Sequence, residues 1–331
     1  MEESQEITNQ EMSGHSPRRK EIHGQKKKLG CLSIGAIGLV LVLGLVAFKL
    51  WDMWSSVEST VNKIQMPRAE NQIQIRPKPV TVKEDQPFSV LLLGIDTGEY
   101  GRVEKGRSDV MLVATVNPSS DKITLTSIPR DSYVEIPGTA DKTKINHAYA
   151  YGGPGLAANA VQNLLDIPID YTVAADMKGF KEIIDAVGGI TVTPPTTFSQ
   201  GGFDFQEGVP IKMHGTMALE YIRNRYDSGG DYGRQDRARQ VVLGIIRSGL
   251  ELDTLINYQN ILNSISNNVK TDISYEEMMH IASNYRSAIN HVEEFQLKGQ
   301  GEKIDGVYYE ILDPSAVQEV SRSIQAELDI E

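Results

Sequence analysis

Apolar residues are distributed along the chain in three patterns. The first is one unbroken run, "LGCLSIGAIGLVLVLGLVAF", Leu29 to Phe48, twenty residues without a charge. As a helix it spans roughly 30 Å at about 1.5 Å per residue, the thickness of a bilayer core. The second is a set of short runs. "FSVLLLGID" predicts a strand buried on both faces. "DVMLVATVN", the turn "PSSDK" and "ITLTSIPRD" predict a β-hairpin, and "IDYTVAAD", "GITVTPP", "EEFQLKG" and "YYEILD" predict further strands. The third pattern has three- and four-residue spacing, as in "GPGLAANAVQNLLD", with Leu156, Ala160, Val161, Leu164 and Leu165 apolar. It predicts helices there, in "MKGFKEIIDAV", "GTMALEYIRN" and "RQDRARQVVLGIIRSGLELD", and near 254–267, 274–287 and 314–328. Interleaved strands and helices predict a three-layer α/β/α sandwich, and the hairpin makes its central sheet mixed.

The flanks of the long apolar run give it an orientation. All six basic residues of the first 28 lie between 18 and 28, where the only acid is Glu21. Trp51 and Trp54 follow the run where an interfacial belt belongs. A cleaved signal peptide has a shorter core and a small-residue cleavage site, and "FKLWDMW" offers none. The expected organisation is a cytoplasmic tail (1–28), a transmembrane signal anchor (29–50), an extracellular stalk and linker (51–87) and a folded domain (88–331). Trp54, Val57, Val61 and Ile64 continue a helical spacing past the membrane, and Pro67, Pro77, Pro79 and Pro87 predict an extended spacer after it.

Charge narrows the function classes. The expected external part holds 26 basic and 39 acidic residues, a net of −13. That argues against nucleic acid as a partner, since its binding rests on neutralising phosphates. The single cysteine, Cys31, lies in the apolar run, so the external part has no disulfide, cysteine nucleophile or cysteine zinc site.

Against this acidic background, "RNRYDSGGDYGRQDRARQ" holds five arginines in eighteen residues. They form either a salt-bridge lattice with Asp227, Asp231 and Asp236 or a receptor for a strongly anionic ligand. Asp96 ends the first strand, Asp109 begins the second, and Arg130 and Asp131 end the third. Antiparallel pairing places Asp96, Asp109 and Arg130 at one sheet edge, a common ligand position in open α/β sheets. Two carboxylates suit Mg²⁺, which shares its other positions with water and phosphate, and arginine offers phosphate a bidentate fork. The alternative is that both aspartates are turn residues. In "KINHAYAYGGPG", Lys144, Asn146 and His147 are within reach of a ligand, whereas Gly152, Gly153 and Gly155 match no nucleotide fingerprint and fit a plain turn. On a helix beginning near 232, Arg234 and Arg237 share a face, and Arg239 is turned away as a surface partner of Asp236.

Together, "LLLGID", "GRSDVMLVATVNPSSDKITLTSIPRD", "KINHAYAYGG", "GTMALEYIRNR" and "DYGRQDRARQ" resemble, in order and spacing, the LytR-CpsA-Psr family of envelope enzymes. The resemblance is strong from residue 88 to about 250. It implies an α/β/α domain with a hydrophobic tunnel, and Mg²⁺-dependent transfer of an anionic glycopolymer, such as teichoic acid or capsule, from a polyprenyl-pyrophosphate carrier to peptidoglycan at the cell membrane. It assigns Asp96 and Asp109 to the metal and the catalytic centre, with Arg130 beside them. It assigns Arg130, Lys144, Arg223, Arg225, Arg234 and Arg237 to the pyrophosphate. The family commonly has glutamine where Ala238 stands, so that role is lost or has moved to Gln240. A carrier-binding regulator and a pyrophosphatase are the alternative functions.

Overall fold

The structure, a computed structural model, describes residues 65–97, 106–225, 229–249 and 267–330. All belong to one of two units of the chain, Met53–Glu331. The other, Met1–Asp52, holds the expected tail and the whole expected anchor and lies outside the described residues, as does the expected helix near 254–267 up to residue 266. Among the described residues no helix is long and apolar enough to cross a membrane.

Six strands form the central sheet: β1 (Phe88–Ile95), β2 (Ser108–Asn117), β3 (Lys122–Ser127), β4 (Tyr171–Asp176), β5 (Val269–Thr271) and β6 (Val292–Gln296). Their order is β5-β4-β1-β2-β3-β6. The expected hairpin is β2–β3, and β1 is antiparallel to β2, with Phe88 opposite Val116. β4 runs parallel to β1 and β6 parallel to β3, so the sheet is mixed. One edge therefore collects the C-terminal ends of β4, β1, β3 and β6 and the N-terminal end of β2.

Alternation along the strands supplies two cores. Leu91, Leu93, Met111 and Val113 pack under the helices α1 (His147–Leu165) and α6 (Pro314–Glu327). α2 (Met177–Ala186), α3 (Gly215–Arg223), α4 (Gly230–Gly249) and α5 (Tyr275–Asn284) complete the helices described. On the other face, Val90, Ala114, Val116 and Leu125 pack with Leu243 of α4, partly buried Met278 and Ile281 of α5, and Tyr285. A third cluster joins α2, α3 and α4 through Ile184, Ala218, Ile222 and Val241. These layers make the expected sandwich. A separate hairpin, β7 (Gly299–Ile304) and β8 (Val307–Leu312), stands outside the central sheet.

The spacer expectation needs correction over 65–87. This segment is strapped to the domain by side chains that composition does not reveal. Asn159 accepts from the Ile73 amide at 2.8 Å and donates to the Asn71 carbonyl at 2.6 Å. Arg76 pairs with the buried Asp170 at 2.9 Å, and Val82 is 1 % exposed. The strap also explains a glycine in "GGPG". A Cβ on Gly155 would lie 2.3 Å from the Asn71 side chain. Gly152 and Gly153 break α1 instead of opening it as a phosphate loop.

Candidate active site

Asp96 and Asp109 reach the same sheet edge through different devices. Asp96 follows β1, where its Oδ1 accepts from the Arg107 amide at 2.6 Å. On β2 the register shifts, with Gly94 opposite Val110 and Ile95 opposite Ser108. Asp109 is thus the extra residue of a β-bulge, a device that re-aims a side chain beside functional sites. Gly94 permits the close approach here, since a Cβ would lie 3.0 Å from the Val110 Cβ.

The arginines close around these acids. Arg130 Nη1 donates to Asp109 Oδ2 at 2.7 Å, and its Nε lies 3.6 Å from Asp131 and 3.7 Å from Asp231. Arg234 Nη2 lies 2.8 Å from Asp231, and its Nη1 lies 3.9 Å from Asp109. Burial pulls the Arg130 pKa down, but the carboxylates of Asp109, Asp231 and Asp131 outweigh it and leave the value raised. Burial lowers that of Arg234, and nearby Arg130 and Arg225 press in the same direction against Asp231 and Asp109. Both guanidiniums leave a buried Nε without a hydrogen-bond acceptor. Each such orphan costs roughly 1–3 kcal/mol, so the site is short of acceptors, as an anion receptor would be before it binds.

Asp96, Asp109, Asp176, Arg223, Arg225 and Arg234 line one cleft of about 390 Å³. Arg223 is held by Glu220 at 2.7 Å and by Met177 Sδ at 3.1 Å. Arg225 is exposed and makes no ion pair among the described residues. Three acids and three arginines leave the lining neutral. A pyrophosphate diester brings two negative charges, which one divalent cation beside Asp96 and Asp109 would offset. The donor set fits Mg²⁺, which takes one or two carboxylates and completes its shell with water and phosphate oxygens. Among the described residues there is no group of three or more acidic, histidine or cysteine ligands, the arrangement of an all-protein metal cage.

Three expectations are revised. Arg237 does not line the cleft. It is fully buried, donating from Nε to the Tyr221 carbonyl at 2.8 Å and from Nη2 to the Asn224 carbonyl, with its guanidinium 5.2 Å from the Phe198 ring. It satisfies carbonyls at the C-terminal end of α3 and so positions the segment carrying Arg223 and Arg225. Lys144 also stands back from the cleft, 2.8 Å from Asp131, which separates it from Arg130. Arg239 does pair with Asp236, at 2.5 Å, but is buried rather than superficial, reaching Glu294 of β6 at 2.8 Å and Ser127 of β3 at 2.7 Å. Gln240 does not take over the site at 238, because it accepts from the Tyr221 hydroxyl. Asp231, grouped in the sequence with the salt-bridge lattice, does pair with Arg234 and so holds it in place. His147 bonds Thr143 Oγ1 at 2.9 Å, and burial lowers its pKa.

Behind the cleft lies an apolar cavity of about 370 Å³. Its floor is alternate residues of the sheet: Val90, Leu92 and Gly94, then Val110, Leu112, Ala114 and Val116, with Val173 and Ala175. Phe180, Ile222, Ala238, Val242, Ile281 and Ile289 close it from the helical side. Gly94, Val110, Ala175, Phe180 and Ile222 line both spaces, so the cavity opens into the charged cleft. From Phe88 to Gly94 it follows β1 for about 20 Å. Native cores leave few voids of this size, so a long apolar ligand is the natural occupant.

The LytR_cpsA_psr family pattern matches residues 52–326. A polyisoprenyl-teichoic acid–peptidoglycan teichoic acid transferase TagU of Enterococcus faecalis is 45 % identical over 307 residues, covering 92 % of this chain and 98 % of that protein. The protein of the same name from Bacillus subtilis is 38 % identical over 312 residues, covering 94 % and 99 %. The crystal structure of B. subtilis TagU superposes with a TM-score of 0.61 at 37 % identity, over 74 % of this chain and 98 % of that one. A structure of TagT bound to LIIa-WTA superposes with a TM-score of 0.68 at 30 % identity, over 80 % of this chain and all of that one. With the family pattern spanning most of its length, the chain belongs to the LytR_cpsA_psr family.

Proposed function

We infer that this protein transfers a teichoic acid or related anionic glycopolymer from a polyprenyl-pyrophosphate carrier to peptidoglycan. The observation that carries this reading is the direct opening of the apolar cavity into the arginine–aspartate cleft. Together they match an amphiphile with a long apolar tail and a pyrophosphate head.

In the reaction, an acceptor hydroxyl oxygen attacks the phosphorus borne by the glycopolymer. The bond from that phosphorus to the bridging oxygen breaks, and polyprenyl monophosphate leaves with the bridging oxygen. The hydroxyl proton passes to a cleft carboxylate, Asp96 or Asp109, and the product is a phosphodiester. Phosphoryl transfer depends mainly on positioning and charge stabilisation. Arg225 and Arg234 face the charge gathering on the leaving phosphate, Arg130 holds Asp109 in place, and Arg223 completes the cleft wall. Asp96 and Asp109 would hold Mg²⁺, which would offset the pyrophosphate charge when bound. The run Leu29–Phe48 anchors the chain in the membrane and holds the domain outside, next to its lipid substrate.

Two measurements test the parts of this reading. Chelation by EDTA is expected to lower transfer below about a tenth of its rate, with Mg²⁺ restoring it. Ala114→Phe fills the middle of the cavity and leaves the cleft intact. It is expected to lower kcat/KM for a full-length polyprenyl donor about a hundredfold, the equivalent of roughly 3 kcal/mol of apolar burial. A short-chain donor should react with the variant as with the parent. Equal loss on both donors would place the tail elsewhere.

A further inference from the structure

The β7–β8 hairpin is built against the reactive edge. The Glu310 amide donates to the Asp131 carbonyl at 2.9 Å, one residue beyond Arg130. Glu310 itself is 6 % exposed and takes hydroxyl donors on both oxygens, from Tyr232 of α4 and from Tyr308 at 2.7 Å. It makes no ion pair among the described residues. A carboxylate buried between two tyrosine hydroxyls fixes the Tyr308 ring, which nevertheless stays 45 % exposed. Lys144 Nζ sits 6.0 Å from the centre of that ring. A second exposed ring, Tyr151 at 55 %, adjoins through His147 and Thr143. Exposed aromatic rings held in one orientation mark a binding surface.

Order along the sheet edge suggests the occupant. The cleft takes the ends of β4, β1 and β2, and the hairpin bearing Tyr308 bridges to Ser132, just past β3. Two strand spacings separate β2 from β6, about 10 Å, the scale of a disaccharide. In an in-line displacement the entering hydroxyl lies opposite the leaving group. The leaving lipid phosphate is tethered at the mouth of the cavity, where Gly94, Val110 and Ala175 of β1, β2 and β4 line both spaces, so the acceptor arrives from the β3–β6 side. A pyranose has an apolar C–H face and a hydroxyl rim, which match an exposed tyrosine ring with the Lys144 ammonium beside it.

We propose that Tyr308, with Lys144 beside it, forms the subsite for the acceptor glycan strand of peptidoglycan. This rests on the transferase reading above. The test uses the full chain in detergent, a labelled polyprenyl-pyrophosphate glycan and soluble peptidoglycan glycan oligomers. Tyr308→Ala is expected to raise the KM for the oligomer about tenfold, with the donor KM and the cleavage of donor by water unchanged within about twofold. Tyr308→Phe keeps the ring and should retain most of the affinity. The proposal is overturned by an unchanged acceptor KM, by a rise in the donor KM instead, or by Tyr308→Phe as damaging as alanine. Equilibrium binding of the oligomers without donor reads the subsite apart from turnover. Wild-type binding that Tyr308→Ala abolishes upholds it even where transfer fails, and absence of wild-type binding overturns it.

Discussion

Arg225→Ala is expected to lower kcat/KM for glycopolymer transfer by about 10²–10³, the usual loss when one preorganised stabiliser of transition-state charge is removed. Arg225 suits this test because it lines the cleft, is exposed and has no carboxylate partner to strand among the described residues. The thermal midpoint should move little, since a surface substitution outside any network shifts stability by about 0.5 kcal/mol or less. Arg234→Ala is less clean, because it would leave Asp231 without its 2.8 Å partner. The loss should appear in kcat as well as kcat/KM, because charge gathers on the departing phosphate in the transition state. Arg225→Lys restores the charge without the planar fork and should recover only part of the rate. A full rate in Arg225→Ala would remove this arginine from the mechanism.

Arg237→Ala should behave differently, destabilising the domain by about 3–4 kcal/mol. That figure follows from two charge-assisted hydrogen bonds at roughly 1.5–3 kcal/mol each, partly recovered by relaxation. At 2–4 °C per kcal/mol for a domain of this size, the midpoint falls by about 10 °C. Activity falls too, because the Tyr221 and Asn224 carbonyls lose their donor and the segment bearing Arg223 and Arg225 loosens. Thermal melting and turnover measured on the same variant separate the two roles. Loss of activity with an unchanged midpoint would mean that the Arg237 guanidinium acts on the ligand after all.

Much of the sandwich was legible because strands alternate and helices repeat. "PSSDK" joins two apolar runs, and that turn alone brings Asp109 and Arg130 to one edge. The bulge that aims Asp109 was not legible, since a register shift leaves no mark on composition. Nor was the fate of the arginines. Arg234 and Arg237 differ by about 60° around a helix, enough to send one into the cleft and the other into the core beneath α3. The depth of Arg239 depends on Ser127 and Glu294, far away in the chain. Prolines and polar residues made 65–87 look like a spacer, whereas its hydrogen bonds go to Asn159, Gln162 and Asp170. The family resemblance implied a tunnel, but the residues lining it were hidden because they have the composition of an ordinary core. Its trace is small residues where strands and helices face each other, at Gly94, Ala114, Ala175 and Ala238.

The most direct measurement follows the label. The full chain, in detergent with Mg²⁺, receives a polyprenyl-pyrophosphate glycopolymer labelled in its sugar and a peptidoglycan acceptor. The account predicts that label enters peptidoglycan through a phosphodiester, that polyprenyl monophosphate appears in equal amount, and that Asp109→Ala abolishes both. Label released only as free phosphorylated glycan, or transfer undiminished in Asp109→Ala, would contradict it.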